Sequence, residues 1–117
     1  MKSVLVVDDD EDARELLQLA LERRGFRVTL ASSYETARTA LTSTPFDALV
    51  TDVELEDGSG LALRNIAPIA IACTLTGHAS PADAERTKRA GFDAHLVKPV
   101  DLEALCAVLA GPARMIR

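Results

Sequence analysis

The chain opens with a short, continuously apolar run, Val4-Leu5-Val6-Val7. A β-branched run of this length predicts a strand buried on both faces, as in a parallel sheet. The period then changes. Ala13, Leu16, Leu17, Ala20 and Leu21 recur at helical spacing, with Arg14, Glu15, Glu22 and Arg23 on the wet side. Gly25 stands where a glycine ends a helix. Phe26, Val28 and Leu30 alternate with Arg27 and Thr29, which predicts a half-covered strand at a sheet edge. Ser32 or Ser33 caps a second helix, with Ala37, Ala40 and Leu41 inward and Pro45 closing it. Residues 46–51 read as a third strand, 52–60 as an acid- and glycine-rich turn, and 61–67 as a short third helix before Pro68. Residues 69–75 form a fourth strand. Ser80-Pro81-Ala82-Asp83 then reads as N-cap, first-turn proline and acidic first turn of a helix that stops at Gly91. Residues 94–97 make a fifth strand, and Asp101 caps a last helix to about Leu109, ended by Gly111 and Pro112.

Five strands alternating with five helices through short connections predict an α/β domain, a parallel sheet with helices on both faces. A length of 117 residues leaves room for one domain, taken as 1–117 with no output domain attached. Aromatic residues are 3% of the chain and Trp is absent, which disfavours a base-stacking surface. With 18 acidic against 13 basic residues the net charge is −5, the wrong sign for a phosphate-backbone binder. No apolar run is long enough to span a membrane, and Asp8, Asp9 and Asp10 follow the first apolar run too closely for a signal peptide. Cys73 and Cys106 stand alone in apolar runs without metal-ligand spacing, as buried thiols of a reducing compartment. These features predict a cytoplasmic domain that binds neither membrane nor, by itself, nucleic acid.

In an open parallel sheet, chemistry gathers at the carboxyl ends of the strands. Asp8 and Asp9 follow the first strand, Asp52 the third, Thr76 the fourth and Lys98 the fifth. The second strand ends in Ala31 and Ser32, which offer little. Three carboxylates converging on one edge repel one another, and a hard divalent cation such as Mg²⁺ relieves that repulsion. A cation site with a lysine and a threonine, and no His, Ser or Cys nucleophile, suits phosphoryl chemistry with a carboxylate as nucleophile. Singly, each residue has an ordinary explanation, as a helix cap, a strand-end hydroxyl or a solvated charge. Together, at four strand ends, they specify a site.

The chain resembles a response-regulator receiver domain of two-component signalling. The resemblance rests on Val-Val-Asp-Asp at 6–9, Leu-Val-Thr-Asp at 49–52, Leu-Thr-Gly at 75–77 and Val-Lys-Pro at 97–99, and it covers the whole chain. It implies a flavodoxin-like (βα)5 fold with strand order 2-1-3-4-5. It implies that Asp52 is the phospho-acceptor for a histidine kinase or histidine phosphotransfer protein. Asp8 and Asp9 would hold Mg²⁺, Asp9 the more directly, with the backbone carbonyl of Glu54 as a further ligand. Lys98 would bind a phosphoryl oxygen, Lys98-Pro99 would be cis, and Thr76 would be the switch hydroxyl beside Gly77. His78 would help to set the dephosphorylation rate. The last two helices and the fifth strand would form the face for a downstream protein.

Three departures from the family pattern stand out. His95 occupies the place of the usual Tyr or Phe on the fifth strand, and an ordinary imidazole changes charge near pH 6.5. Glu56 replaces a frequent proline, so the loop after Asp52 is expected to be looser and more acidic, although Gly60 is kept. The third helix should be stubby, near two turns, and the last helix short. Two rival readings are a receiver-like interaction module that no longer uses phosphate, and a haloacid-dehalogenase-like phosphohydrolase suggested by the Asp-x-Asp within Asp8-Asp9-Asp10. Against the second stands Lys98-Pro99, where that class carries a later acidic pair.

Overall fold

The protein is described here by a computed structural model, in which residues 2–77 and 80–110 are placed. Its first strand, β1 (Ser3–Val7), is fully buried from Val4 to Val7, as a strand covered on both faces must be. It is followed by α1 (Glu11–Glu22), β2 (Arg27–Ala31), α2 (Tyr34–Ser43) and β3 (Ala48–Asp52). A small antiparallel hairpin, β4 (Glu54–Leu55) and β5 (Gly58–Ser59), leads into a 3₁₀ helix (Gly60–Asn65). Then come β6 (Ile71–Thr76), α3 (Pro81–Arg89), β7 (Ala94–Val97) and α4 (Leu102–Leu109).

The main sheet has the order β2-β1-β3-β6-β7, parallel throughout. Leaving aside the hairpin strands, this is the expected 2-1-3-4-5 order, with the amphipathic second strand at an edge. Alternate strand residues feed two apolar layers. Leu5, Val7, Leu49 and Ala72 pack with Ala37, Leu41, Leu63 and Phe92 on one face. Val4, Val6, Val50 and Leu75 pack with Leu17, Leu21, Leu105 and Leu109 on the other.

Helix ends follow local chemistry. The Asp10 carboxylate accepts from the Asp12 amide at the start of α1, and Gly25 after its end takes φ 92°. Of the two candidate serines, Ser33 caps α2, in a reciprocal box with Thr36. Ser80 and Pro81 open α3, Gly91 (φ 97°) follows its end, and Asp101 caps α4. The expected stops at Gly111 and Pro112 lie outside the described residues.

Two expectations need correction. The third helix is not α-helical but a six-residue 3₁₀ helix. At about 2.0 Å rise per residue, against about 1.5 Å in an α-helix, the tighter winding spans more of the sheet with few residues. The loop after Asp52 is not loose. Its tip residue Asp57 accepts hydrogen bonds from the Tyr34 and Glu35 amides at 2.8 and 3.1 Å, so the hairpin is fastened to the N-terminus of α2. Both cysteines are free thiols, and burial, with a smaller push from Asp93, raises Cys73 to about 12.

Candidate functional site

The register brings the strand ends level. Val7 pairs with Thr51, Asp52 with Leu75, and Thr76 with Val97. Asp8, Asp52, Thr76 and Lys98 therefore meet on one edge because each is the last residue of its strand or the first beyond it. The Lys98 amide donates to the Thr76 carbonyl at 2.7 Å, which seats the lysine beside Thr76. The Lys98-Pro99 bond is cis.

The Lys98 ammonium lies 3.1 Å from Asp8 Oδ2 and 3.1 Å from Asp52 Oδ2. Asp8 is fully buried, and its other oxygen accepts from the Asp10 amide at 3.0 Å. Asp9 is exposed beside it. Asp52 keeps 15% side-chain exposure, and its Oδ1 accepts from the Glu54 amide at 3.2 Å. The nucleophile proposed from sequence is thus held by a donor on each oxygen, with an opening to solvent.

Charge in this site is unbalanced. One ammonium serves two carboxylates, and Asp9 adds a third. Burial pushes the Asp52 carboxyl above its ordinary value, opposed by Lys98 and the Glu54 amide and reinforced by Asp8. Burial also works against the Lys98 ammonium, but its two carboxylate partners outweigh that and hold it above its ordinary value. The two directions are compatible, because the lysine has two partners while Asp52 has only a share in one. Asp8, Asp9 and Asp52 each place a carboxylate oxygen within 4.8 Å of the others. An all-oxygen donor set with excess negative charge, open at Asp9, fits a hard divalent cation that keeps some of its water.

Neighbours that the sequence reading did not single out support these groups. Arg14 Nη1 donates to the Asp8 carbonyl at 2.8 Å, pinning the β1–α1 loop. Thr51 Oγ1 donates to the Asp52 carbonyl at 2.9 Å, and the Gly60 amide to the Val53 carbonyl at 2.8 Å. Pro99 lines an apolar cleft of about 220 Å³ with Asp8, Lys98, Leu16 and Leu102. Gly77 is exposed, and a side chain there would meet nothing. His95 is not among the converging groups; its ring bonds Thr74 and Thr87 instead. His78 lies outside the described residues. Arg14 carries no motif of its own, and the part of Thr51 is revealed by its contact rather than by its place in the 49–52 motif.

Comparison with known proteins agrees with this geometry. A sequence profile described as "Response regulator receiver domain" matches residues 4–110. The chain is 36% identical over 118 residues to the response regulator protein PilR of Pseudomonas aeruginosa, covering 97% of this chain and 26% of that protein. It is 35% identical over 111 residues to the photosynthetic apparatus regulatory protein RegA of Rhodovulum sulfidophilum, covering 92% of this chain and 61% of the relative. The chain thus spans about a quarter of the first relative and about three-fifths of the second. Among solved structures, it superposes on a response regulator from Burkholderia pseudomallei that carries a phosphorylated aspartic acid, calcium ion and citrate. The TM-score is 0.86 at 34% identity, over 93% of this chain and 66% of that one. The chemotaxis response regulator CheY4 of Vibrio cholerae gives 0.84 at 26% identity, over 94% and 97%. In fold, in the run of strand-end residues and in sequence from 4 to 110, this chain belongs to the response-regulator receiver domains.

Proposed function

We propose that this chain is a phospho-accepting receiver of a two-component or phosphorelay system, with Asp52 as the acceptor. The supporting observation is the setting of Asp52. It is part-exposed, bonded by Lys98 on one oxygen and by the Glu54 amide on the other, with Asp8 and Asp9 within cation-sharing distance.

In the proposed step, a carboxylate oxygen of Asp52 attacks the phosphorus of a phosphohistidine on a histidine kinase or phosphotransfer protein. The new bond is P–O, the bond broken is P–N, and the donor imidazole leaves with the electron pair and takes up a proton. Asp8, Asp9, Asp52 and the Glu54 carbonyl would hold Mg²⁺, which supplies charge neutralisation for the phosphoryl oxygens. Lys98 turns its ammonium from the carboxylates toward a phosphoryl oxygen, and Thr76 donates its hydroxyl to another. Hydrolysis later restores the carboxylate, so the protein turns over only its own phosphoryl group and acts as a switch.

Phosphorylation adds nearly two negative charges to an already acidic site, and drawing in Lys98 and Thr76 shifts the ends of β6 and β7. The readout face is then α3, β7 and α4. There an unidentified downstream protein would bind, modulated by His95 and by Gly77 and His78, which follow Thr76 in the sequence. No described helix is long and apolar enough to cross a membrane.

The deciding experiment is intact mass after incubation with acetyl phosphate and Mg²⁺. One added phosphoryl group in the wild type and none in Asp52→Asn supports the reading. No gain in the wild type, together with no binding of a beryllium-fluoride analogue, overturns it.

A further inference from the structure

Among the described residues, one buried side-chain nitrogen or oxygen has no hydrogen-bond partner, and it is Nε2 of His95. The other ring nitrogen is well served. Nδ1 lies 2.7 Å from Thr74 Oγ1 on β6 and 3.3 Å from Thr87 Oγ1 on α3. Both threonines are buried, at 0% and 2% exposure. Valine would fill either position without a hydroxyl to satisfy, so the polar pair is costly unless it has a partner. The imidazole is that partner, and it ties an edge strand, its inner neighbour and a helix at one point.

The seat discriminates between ring states. A hydroxyl can donate or accept, so the neutral imidazole is satisfied at Nδ1 in either tautomer. A protonated ring puts a charged N–H at Nε2, where no acceptor waits, and an unpaired buried charge costs far more than an unpaired neutral atom. Among the described residues, the ionisable groups that line the cavity of about 260 Å³ beside the ring are Lys88 of α3 and Asp93 before β7. The Asp93 carboxylate is engaged by the Ala72 amide at 2.8 Å, and Lys88 repels added positive charge. From β6 the ring meets a hydroxyl, that of Thr74.

We propose that Thr74 and Thr87 form a polar latch that holds His95 inward while neutral and releases it outward in acid. The inference rests on the receiver reading and adds a regulatory input to it. Thr76 lies two residues beyond Thr74 on the same strand and so on the same face. The latch therefore connects acidity, the edge strand and the switch hydroxyl.

Two-bond ¹H–¹⁵N spectra of the histidine rings test it, on unphosphorylated protein at pH 7.5 and 5.5, with His95→Asn for assignment. In the wild type at pH 7.5, His95 is expected to show one neutral tautomer with a hydrogen-bonded Nδ1. That signature is lost at pH 5.5, lost in Thr74→Val and weakened in Thr87→Val, and it returns in Thr74→Ser. Wild-type His95 shifts equal to those of free imidazole, or unmoved by Thr74→Val, overturn the latch. The spectra need no phosphoryl donor. Labelling of Asp52 without the latch signature sinks this inference alone, whereas the signature with neither labelling nor beryllium-fluoride binding upholds the latch and sinks the receiver reading.

Discussion

Gly60 lies against the backbone of Asp52 so closely that a β-carbon there would collide with the Asp52 carbonyl oxygen and crowd Thr51 Oγ1. The Gly60 amide also bonds the Val53 carbonyl at 2.8 Å, so the contact cannot open without losing that bond. Gly60→Ala is expected to cost about 1–3 kcal/mol, as overpacking does, and to displace the acceptor. Urea unfolding combined with the rate of acetyl-phosphate labelling checks both effects. Wild-type values of each would show that the 3₁₀ helix yields without disturbing Asp52.

Lys98 occupies oxygens of Asp8 and Asp52 that a cation would also use. Lys98→Ala is therefore expected to tighten Mg²⁺ binding several-fold while slowing phosphoryl transfer at least tenfold, about 1.4 kcal/mol or more in the barrier. Calorimetric titration and a labelling time course separate the two. Weaker Mg²⁺ binding in the variant would mean that the lysine orders the carboxylates rather than competing for them.

Burial raises the Asp52 carboxyl above its ordinary value, so its ionised form burdens the fold. A raised folded-state value means stability is highest in acid and declines as pH rises through it. Metal-free Asp52→Asn should melt higher than wild type at pH 7, by roughly a few degrees, with the gap closing as Asp52 is protonated. Scanning calorimetry in chelator gives the answer, and a variant that melts lower at pH 7 refutes it.

Asp57 works in the opposite sense. Its hydrogen bonds from Tyr34 and Glu35 hold its carboxyl below the ordinary value. Its contribution is full above the ordinary carboxylate range and lost as pH falls through the lowered value. Asp57→Ala should lower the melting midpoint at neutral pH and flatten its dependence on pH in the acid range below the ordinary carboxylate value. An unchanged acid slope would show that the hairpin is held by other contacts, such as Tyr34 packing over Gly58.

What could be read beforehand was local. Continuous apolar strands, a serine cap at 32 or 33, the Ser80 and Asp101 caps and the glycines after α1 and α3 are patterns of near neighbours. The strand-end residues were legible because parallel topology converts chain order into position. The fasteners were not. Asp57 reaches amides 22 and 23 residues away, and His95 meets a threonine 21 residues away. Neither pairing leaves a mark at either residue, and a threonine in an apolar strand looks like any β-branched residue. The 3₁₀ helix eluded the reading because its few apolar residues fit either winding.

The sheet order has a mechanical consequence. Asp8 and Asp52 grow from β1 and β3, each flanked by strands on both sides, whereas Lys98 follows β7, which has a neighbour on one side only. The strand-end site is thus a vice with one jaw set in the framework and the other on its rim. On the proposed function, force generated at Asp52 would meet rigid backing on one side, and the displacement would go to the rim, where a binding partner would feel it.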